Sequence, residues 1–223
     1  MDDSDSDSPV VSILFLGDAG CGKSTFFSRI SQGAAGQQAD RSIAPLRDGD
    51  QPFAYDIKFC NRPFRFQLYD TASPENWKLL HPDVVVLCFD ISQRLSMIHM
   101  QRHVRISFPI TIYFSEAIGR KRLTYFQWIN ETIKTFMQGR ELPIIVLGLK
   151  RDLRSEEDPN GIIYPQEAYR IAQEMRCDKY IECSAVTGEL LREAWEDICK
   201  TGAQTTNKVD GLEGLSEGGC LIM

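Results

Sequence analysis

The stretch GDAGCGKS, residues 17–24, follows the apolar run VVSILFL, residues 10–16, and overlaps the helical pattern STFFSRI, residues 24–30. It fits the phosphate-binding pattern G-x-x-x-x-G-K-[ST], in which glycines let backbone N–H groups turn toward phosphates. In that pattern Lys23 neutralises the β- and γ-phosphates, and the Ser24 hydroxyl ligates magnesium. A strand before the loop and a helix after it support this interpretation. The alternative is a glycine-rich turn that merely resembles a phosphate loop.

The loop thus predicts one continuous set of nucleotide-contacting residues. These are Gly17, Asp18, Ala19, Gly20, Cys21, Gly22, Lys23, Ser24 and Thr25. Lys23 is the residue expected to act in catalysis, because its charge lies where the phosphates would be.

The rest of the chain alternates strand and helix patterns. Predicted strands lie at residues 54–60 and 64–69, which form a hairpin, at 84–90 and 142–148, which are short and nearly all apolar, and at 180–184. Predicted helices cover residues 165–175 and 188–200. The order predicts a doubly wound α/β fold, with a mostly parallel six-stranded sheet and helices on both faces.

Composition limits the possible functions. A chain of 223 residues suits one domain, and a net charge of −6 argues against nucleic-acid binding. The seven cysteines are scattered without a C-x-x-C pair, so reduced cytosolic thiols are expected. We predict a disordered acidic tail at residues 1–9, a domain at 10–200, and a flexible tail at 201–223.

Five segments occur in the order GDAGCGKS, YDTA, LKRDLR, ECSA and CLIM, and through them the chain resembles the Ras superfamily of small GTPases, the Rho branch most closely. The resemblance implies a small G protein fold that binds GTP or GDP with Mg²⁺. It implies that Asp70 holds the metal, that Asp152 bonds guanine N1 and N2, and that the stem of Lys150 covers the base. Ser184 and Ala185 match the segment near guanine O6. Effectors, exchange factors and activating proteins of Rho type are the implied partners.

The chain departs from the family in the regions that sense the γ-phosphate. Ser73 and Pro74 stand where the family has glycine and glutamine, and residues 45–56 contain no threonine or serine. Ala19 replaces a glycine close to where an activating protein's arginine would enter. Loss of water positioning and phosphate sensing should slow hydrolysis on the order of 100-fold or more.

The predicted base site is also altered. Leu149 replaces the asparagine that ties the base loop to the phosphate loop, and Val186 replaces a lysine beside the base. Lower guanine affinity is expected. Besides a working GTP-dependent switch, two other functions therefore remain open. One is a pseudo-GTPase binding module with little nucleotide cycling, and the other is another P-loop enzyme that prefers ATP.

The last four residues, CLIM, fit the C-a-a-X pattern, with Cys220 as the prenylated residue and methionine favouring farnesylation. Lys208 is accompanied by Asp210, Glu213 and Glu217, so the tail has no polybasic patch to strengthen attachment. We expect a cytoplasmic protein that attaches reversibly to the cytoplasmic face of membranes, with the plasma membrane favoured.

Residues 104–127 match nothing in the family, and removing them joins SMIHMQRH to WINETIKTF with the helical spacing of Rho proteins. One interpretation is a retained intron, since Val104 permits a GT start, Leu123 and Thr124 permit a branch point, and Gln127 permits a terminal CAG. The other is a genuine surface insertion, although ISFPITIYF would make an apolar, β-prone exposed segment.

Sequencing the messenger RNA separates these interpretations. We expect the main transcript to lack the nucleotides that encode residues 104–127. A main transcript that retains them would establish the surface insertion instead.

Overall fold

The computed structural model describes residues 8–32, 51–59, 62–70, 81–106, 142–157 and 162–209. The strands are β1 (Val10–Leu16), β2 (Phe53–Phe59), β3 (Arg62–Asp70), β4 (Val84–Asp90), β5 (Ile144–Leu149) and β6 (Lys179–Glu182). The helices are α1 (Lys23–Ser31), α2 (Arg94–Ile106), α3 (Pro165–Glu174) and α4 (Leu191–Val209), with a 3-10 turn at Arg151–Leu153.

The six strands form one sheet in the order β2-β3-β1-β4-β5-β6. Only the β2–β3 pair is antiparallel, and β1 runs parallel to both β3 and β4. Strands β3 and β2 thus lie on one side of β1, and strands β4, β5 and β6 are added in sequence order on its other side. In such sheets ligands bind outside the carboxyl ends of the strands at this reversal, which is where residues 17–22 lie.

Alternation along β1 explains why both faces of the sheet are covered. Ile13 and Phe15 point to one face, where Phe26 and Phe27 of α1 and Trp195 of α4 pack. On the opposite face, the core contains Leu14, Leu16, Phe89 and side chains of α2 and α3. All seven residues of β4 are buried, as expected of a central parallel strand.

The predicted fold class is confirmed: the sheet has six mostly parallel strands with helices on both faces. The predicted strand at residues 10–16 coincides with β1, and the predicted hairpin is β2 and β3. Helix α4 differs from expectation, because it continues to Val209 instead of ending near Lys200. This corrects the expected flexible tail from residue 201, and the physical reason is burial of Thr201, Gly202 and Ala203 against the sheet.

Residues 1–7, 107–141 and 210–223 lie outside the described ranges, and the predictions made for the acidic tail, most of the 104–127 segment and Cys220 fall there. Helix α2 includes Val104, Arg105 and Ile106, the first three residues of that segment. Within the ranges described, none of the helices combines the length and apolar character that crossing a bilayer requires.

Gly202 provides a test of how α4 seats on the sheet. A Cβ at this position would lie 2.7 Å from Cγ1 of Val11 on β1, so Gly202→Ala forces the two elements apart. Alanine's helix preference contributes about 1 kcal/mol, and overpacking costs about 1–3 kcal/mol, so we expect the free energy of unfolding to fall by about 1 kcal/mol.

Denaturant unfolding of Gly202→Ala should be compared in the wild-type and Val11→Ala backgrounds. Removing the Val11 methyl groups should make Gly202→Ala neutral or stabilising. Equal destabilisation in both backgrounds would contradict the proposed contact.

Candidate nucleotide-binding site

The loop between β1 and α1 is shaped by glycines that no other residue could replace. A Cβ at Gly17 would lie 2.4 Å from the carbonyl oxygen of Cys88, so the loop backbone passes directly against β4. Gly22 has a φ of 117° and caps α1, a conformation that strains residues with a Cβ. The loop therefore turns tightly and directs the amino end of α1 to the carboxyl edge of the sheet.

Lys23 places a buried positive charge inside this loop, with 8% of the residue exposed. Its Nζ donates to the carbonyl oxygens of Gly17 at 2.8 Å and Asp18 at 3.0 Å, and lies 3.6 Å from Oδ1 of Asp70. Ser24 follows on the exposed side of the first turn of α1. Four of the predicted site residues thus meet at one point: Gly17, Asp18, Lys23 and Asp70.

The phosphate loop also contacts α2. His99 Nδ1 lies 2.9 Å from Oδ2 of Asp18, and both side chains are partly exposed. This contact links the loop to α2, which covers the face of the sheet opposite to α1.

The backbone of Asp70, at the end of β3, is held by the side chain of Gln51. In the β2–β3 register, Phe53 lies opposite Leu68, which would place Gln51 opposite Asp70. Gln51 Nε2 donates to the Asp70 carbonyl oxygen at 2.9 Å, and the Asp70 N–H donates to Gln51 Oε1 at 3.0 Å. The side-chain amide therefore makes the two bonds that a hydrogen-bonded pair of residues exchanges in an antiparallel ladder.

The residues predicted to recognise the base lie on two loops after β5 and β6. Lys150 has a φ of 58°, and its side chain packs against Gly22, where a Cβ would lie 3.6 Å from Lys150 Cγ. Asp152 is exposed, and its Oδ1 accepts a hydrogen bond from Ser184 Oγ at 2.5 Å. Ser184 is fully buried and Ala185 nearly so. The base loop and the phosphate loop are therefore in direct contact.

Glu182, the last residue of β6, is a buried carboxylate behind the base loops. It accepts hydrogen bonds from Arg151 Nη1 at 2.8 Å and Arg154 Nη2 at 2.6 Å, and one from the Tyr180 hydroxyl. Burial acts to raise the pKa of Glu182, but the hydrogen bonds from Arg154, Tyr180 and Arg151 outweigh it and hold the pKa below its usual value. The group is ionised at neutral pH.

Three buried cysteines, Cys21, Cys88 and Cys183, lie near enough to interact electrostatically under the loop. Burial raises the pKa of Cys21 despite the nearby Lys23, raises that of Cys88 well above its usual value, and raises that of Cys183 to about 12. The five cysteines among the described residues are free thiols. Because these three remain protonated, they serve as small apolar side chains and are poor nucleophiles.

Comparison with known proteins finds similarity to small GTP-binding proteins. The Ras family model matches residues 120–204. GTP-binding protein Rho1 of Candida albicans is 24% identical over 88% of this chain and 89% of its own length. Rho1 of Saccharomyces cerevisiae is 26% identical over 89% and 86%, and Rho1 of Eremothecium gossypii is 27% identical over 92% and 87%.

The chain is similar to Rho-like small GTP-binding proteins of the Ras superfamily. These similarities confirm the resemblance that the five segments predicted. Leu149 and Val186, two departures from the family pattern, lie within the described residues; Leu149 is buried at the end of β5 and Val186 is exposed beside Ser184. Ser73, Pro74 and residues 45–50 lie outside them.

Sequence reasoning missed three residues of the candidate site: Gln51, Glu182, and Asp90, which accepts a hydrogen bond from Lys150 Nζ at 2.7 Å. Asp90 and Glu182 could have been noticed, because each is a carboxylate closing a strand. Gln51 gave no signal, since its role depends on the β2–β3 register.

Gln51→Ala tests whether this side chain holds the end of β3. Two partly buried hydrogen bonds are lost, so we expect the free energy of unfolding to fall by about 1–2 kcal/mol. Urea unfolding measures the change. Gln173→Ala is the control, because Gln173 makes one exposed hydrogen bond to Tyr169 and should be nearly neutral. Equal small losses in both variants would contradict the assigned role of Gln51.

Proposed function

We propose that this protein binds GTP and GDP with Mg²⁺, hydrolyses GTP very slowly, and acts at membranes as a Rho-like signalling protein. One observation carries the nucleotide part of the proposal: the ammonium of Lys23 lies buried between two loop carbonyls and the Asp70 carboxylate, at the amino end of α1. A positive charge in that position suits a diphosphate or triphosphate.

The residues around Lys23 fit a magnesium ion. Mg²⁺ usually keeps several waters and takes few protein oxygens together with substrate phosphates. Ser24 and Asp70 supply a hydroxyl and a carboxylate beside the loop, and among the described residues no cluster of three acidic, histidine or cysteine side chains forms an all-protein site. Bound there, magnesium would neutralise charge on the β- and γ-phosphates. Lys23 itself would bind and orient these phosphates.

Guanine selection is supported by Asp152. Asp152 is an exposed residue, and the hydrogen bond from Ser184 orients its carboxylate. A carboxylate accepts hydrogen bonds from the N1 and N2 donors of guanine, whereas adenine offers no such pair. The same chemistry disfavours the interpretation as an ATP-dependent enzyme.

Slow hydrolysis follows from residue types after Asp70. Proline at position 74 has no amide side chain to orient water, and Ser73 replaces the permissive glycine. Cys220 is proposed as the prenylated anchor for reversible membrane attachment. The binding-module alternative keeps the nucleotide site but loses nucleotide-dependent partner binding, so comparing partner binding in the GDP and GTP forms distinguishes the two.

The nucleotide site is tested by calorimetry on the full chain with GDP, GTP and ADP in the presence of Mg²⁺. We expect guanine nucleotides to bind more tightly than ADP, and Lys23→Ala to weaken binding by at least about ten-fold, because charge-assisted bonds to phosphate are lost. Lys58→Ala, which removes an exposed lysine on β2, is the control and should bind like the wild type. The absence of heat with every purine nucleotide would overturn the proposal.

Two further arms use the same material. Single-turnover GTP loss should speed up on the order of 100-fold in Ser73→Gly/Pro74→Gln, and fast loss in the wild type would contradict impaired hydrolysis. In cell fractions, Cys220→Ser should leave the membrane pellet in which part of the wild type is found. An unchanged distribution would exclude prenylation as the anchor.

A further inference from the structure

Leu149 cannot fix the direction of the base loop. It ends β5 with 1% of its surface exposed, and a Cβ at Gly22 would lie 3.5 Å from Leu149 Cβ. The contact is aliphatic packing against the phosphate loop. Such packing is non-directional, so it holds the loop close without setting the orientation of Lys150 or Asp152. Something else must orient those two side chains.

Asp90 holds the head of Lys150. It is the last residue of β4 and is 2% exposed, and its Oδ2 accepts a hydrogen bond from Lys150 Nζ at 2.7 Å. Its Oδ1 is occupied by the backbone N–H of Ser92 at 2.9 Å and by the Ser92 hydroxyl at 2.6 Å. Because the carboxylate is buried and fixed by Ser92, the Lys150 side chain is anchored at both ends.

Glu182 holds the turn that carries Asp152. Arg151 and Arg154 flank Asp152 in sequence, and both donate to the Glu182 carboxylate. Arg154 also donates from Nε to the carbonyl oxygen of Ile163 at 2.9 Å. The turn is therefore clamped to the end of β6 from both sides, next to the Ser184 that bonds Asp152.

We propose that Asp90 and Glu182 are the positioning residues of guanine recognition. Their charged hydrogen bonds orient Lys150 and Asp152, which the apolar packing of Leu149 does not do. Asp90 fixes Lys150, and Glu182 fixes Asp152. This inference rests on the proposed function and deepens it, because both carboxylates act on the same base site from the ends of β4 and β6, the strands on either side of β5.

The two carboxylates have different expected effects, which separates positioning from general stability. Lys150 covers the face of the base, so loss of its anchor weakens guanine and hypoxanthine nucleotides equally. Asp152 would accept from N1–H and from the 2-amino group, and IDP keeps only the N1–H donor, so misplacing Asp152 weakens GDP more than IDP. The GDP-to-IDP affinity ratio therefore reports on Asp152 alone.

The experiment measures GDP and IDP binding to the full chain by calorimetry with Mg²⁺, for the wild type, Asp90→Asn and Glu182→Gln. Asparagine keeps an oxygen for Ser92 but removes the charge that holds Lys150. We expect Asp90→Asn to weaken both nucleotides by about ten-fold with the ratio unchanged, and Glu182→Gln to weaken GDP by about ten-fold and lower the ratio. Glu196→Gln, which breaks an ion pair with Arg192 on α4, is the control and should match the wild type.

Two additional variants keep the test decisive if Glu182→Gln does not fold. Arg151→Gln leaves the Glu182–Arg154 pair intact and should still lower the GDP-to-IDP ratio. In a Lys150→Met background, Asp90→Asn should no longer change GDP affinity, because its effect passes through Lys150.

The outcomes distinguish the inference from the function on which it rests. If the wild type binds GDP and folded variants keep its affinity and its ratio, the positioning roles are overturned and the proposed function stands. If the wild type binds no purine nucleotide, the proposed function falls, and the positioning roles fall with it.

Discussion

The proposed nucleotide site depends on the interactions of the buried Lys23 ammonium. A lysine that is 8% exposed requires oxygen partners, and the carbonyls of Gly17 and Asp18 provide them only if the loop folds back over the start of α1. The Asp70 carboxylate at 3.6 Å completes the environment from the neighbouring strand. One charge thus joins the ends of β1 and β3 to the first turn of α1.

The phosphate loop can fold in this way because its main chain at Gly17 lies very close to β4. At Gly17 even a methyl group would overlap the Cys88 carbonyl, so the phosphate loop begins in contact with the strand whose last residue, Asp90, binds Lys150. The phosphate and base regions are therefore parts of one packed edge. Leu149 and Lys150 lie against Gly22, so a displacement of the base loop would change the packing at the amino end of α1.

Buried charges organise the loop after β5. The loop after β5 lies between two carboxylates, Asp90 at the end of β4 and Glu182 at the end of β6. Lys150 of this loop pairs with Asp90, and its two arginines pair with Glu182. Buried ion pairs are not strong sources of net stability, since desolvation offsets much of their attraction. Here the ion pairs orient the side chains of the loop after β5, because a hydrogen-bonded carboxylate allows few orientations of its partners.

The sequence by itself determined the elements and their chemistry: β1, the phosphate loop and α1 were readable from GDAGCGKS and its neighbours, and the central strands from their apolar runs, because these signals are local. Tertiary structure alone decided which distant groups meet. Gln51 reaches Asp70 only through the β2–β3 register, Glu182 gathers two arginines across the β5–β6 edge, and α4 continues past Lys200 because Gly202 fits against Val11. Each of these depends on side chains far apart in sequence that only the folded sheet brings within contact distance.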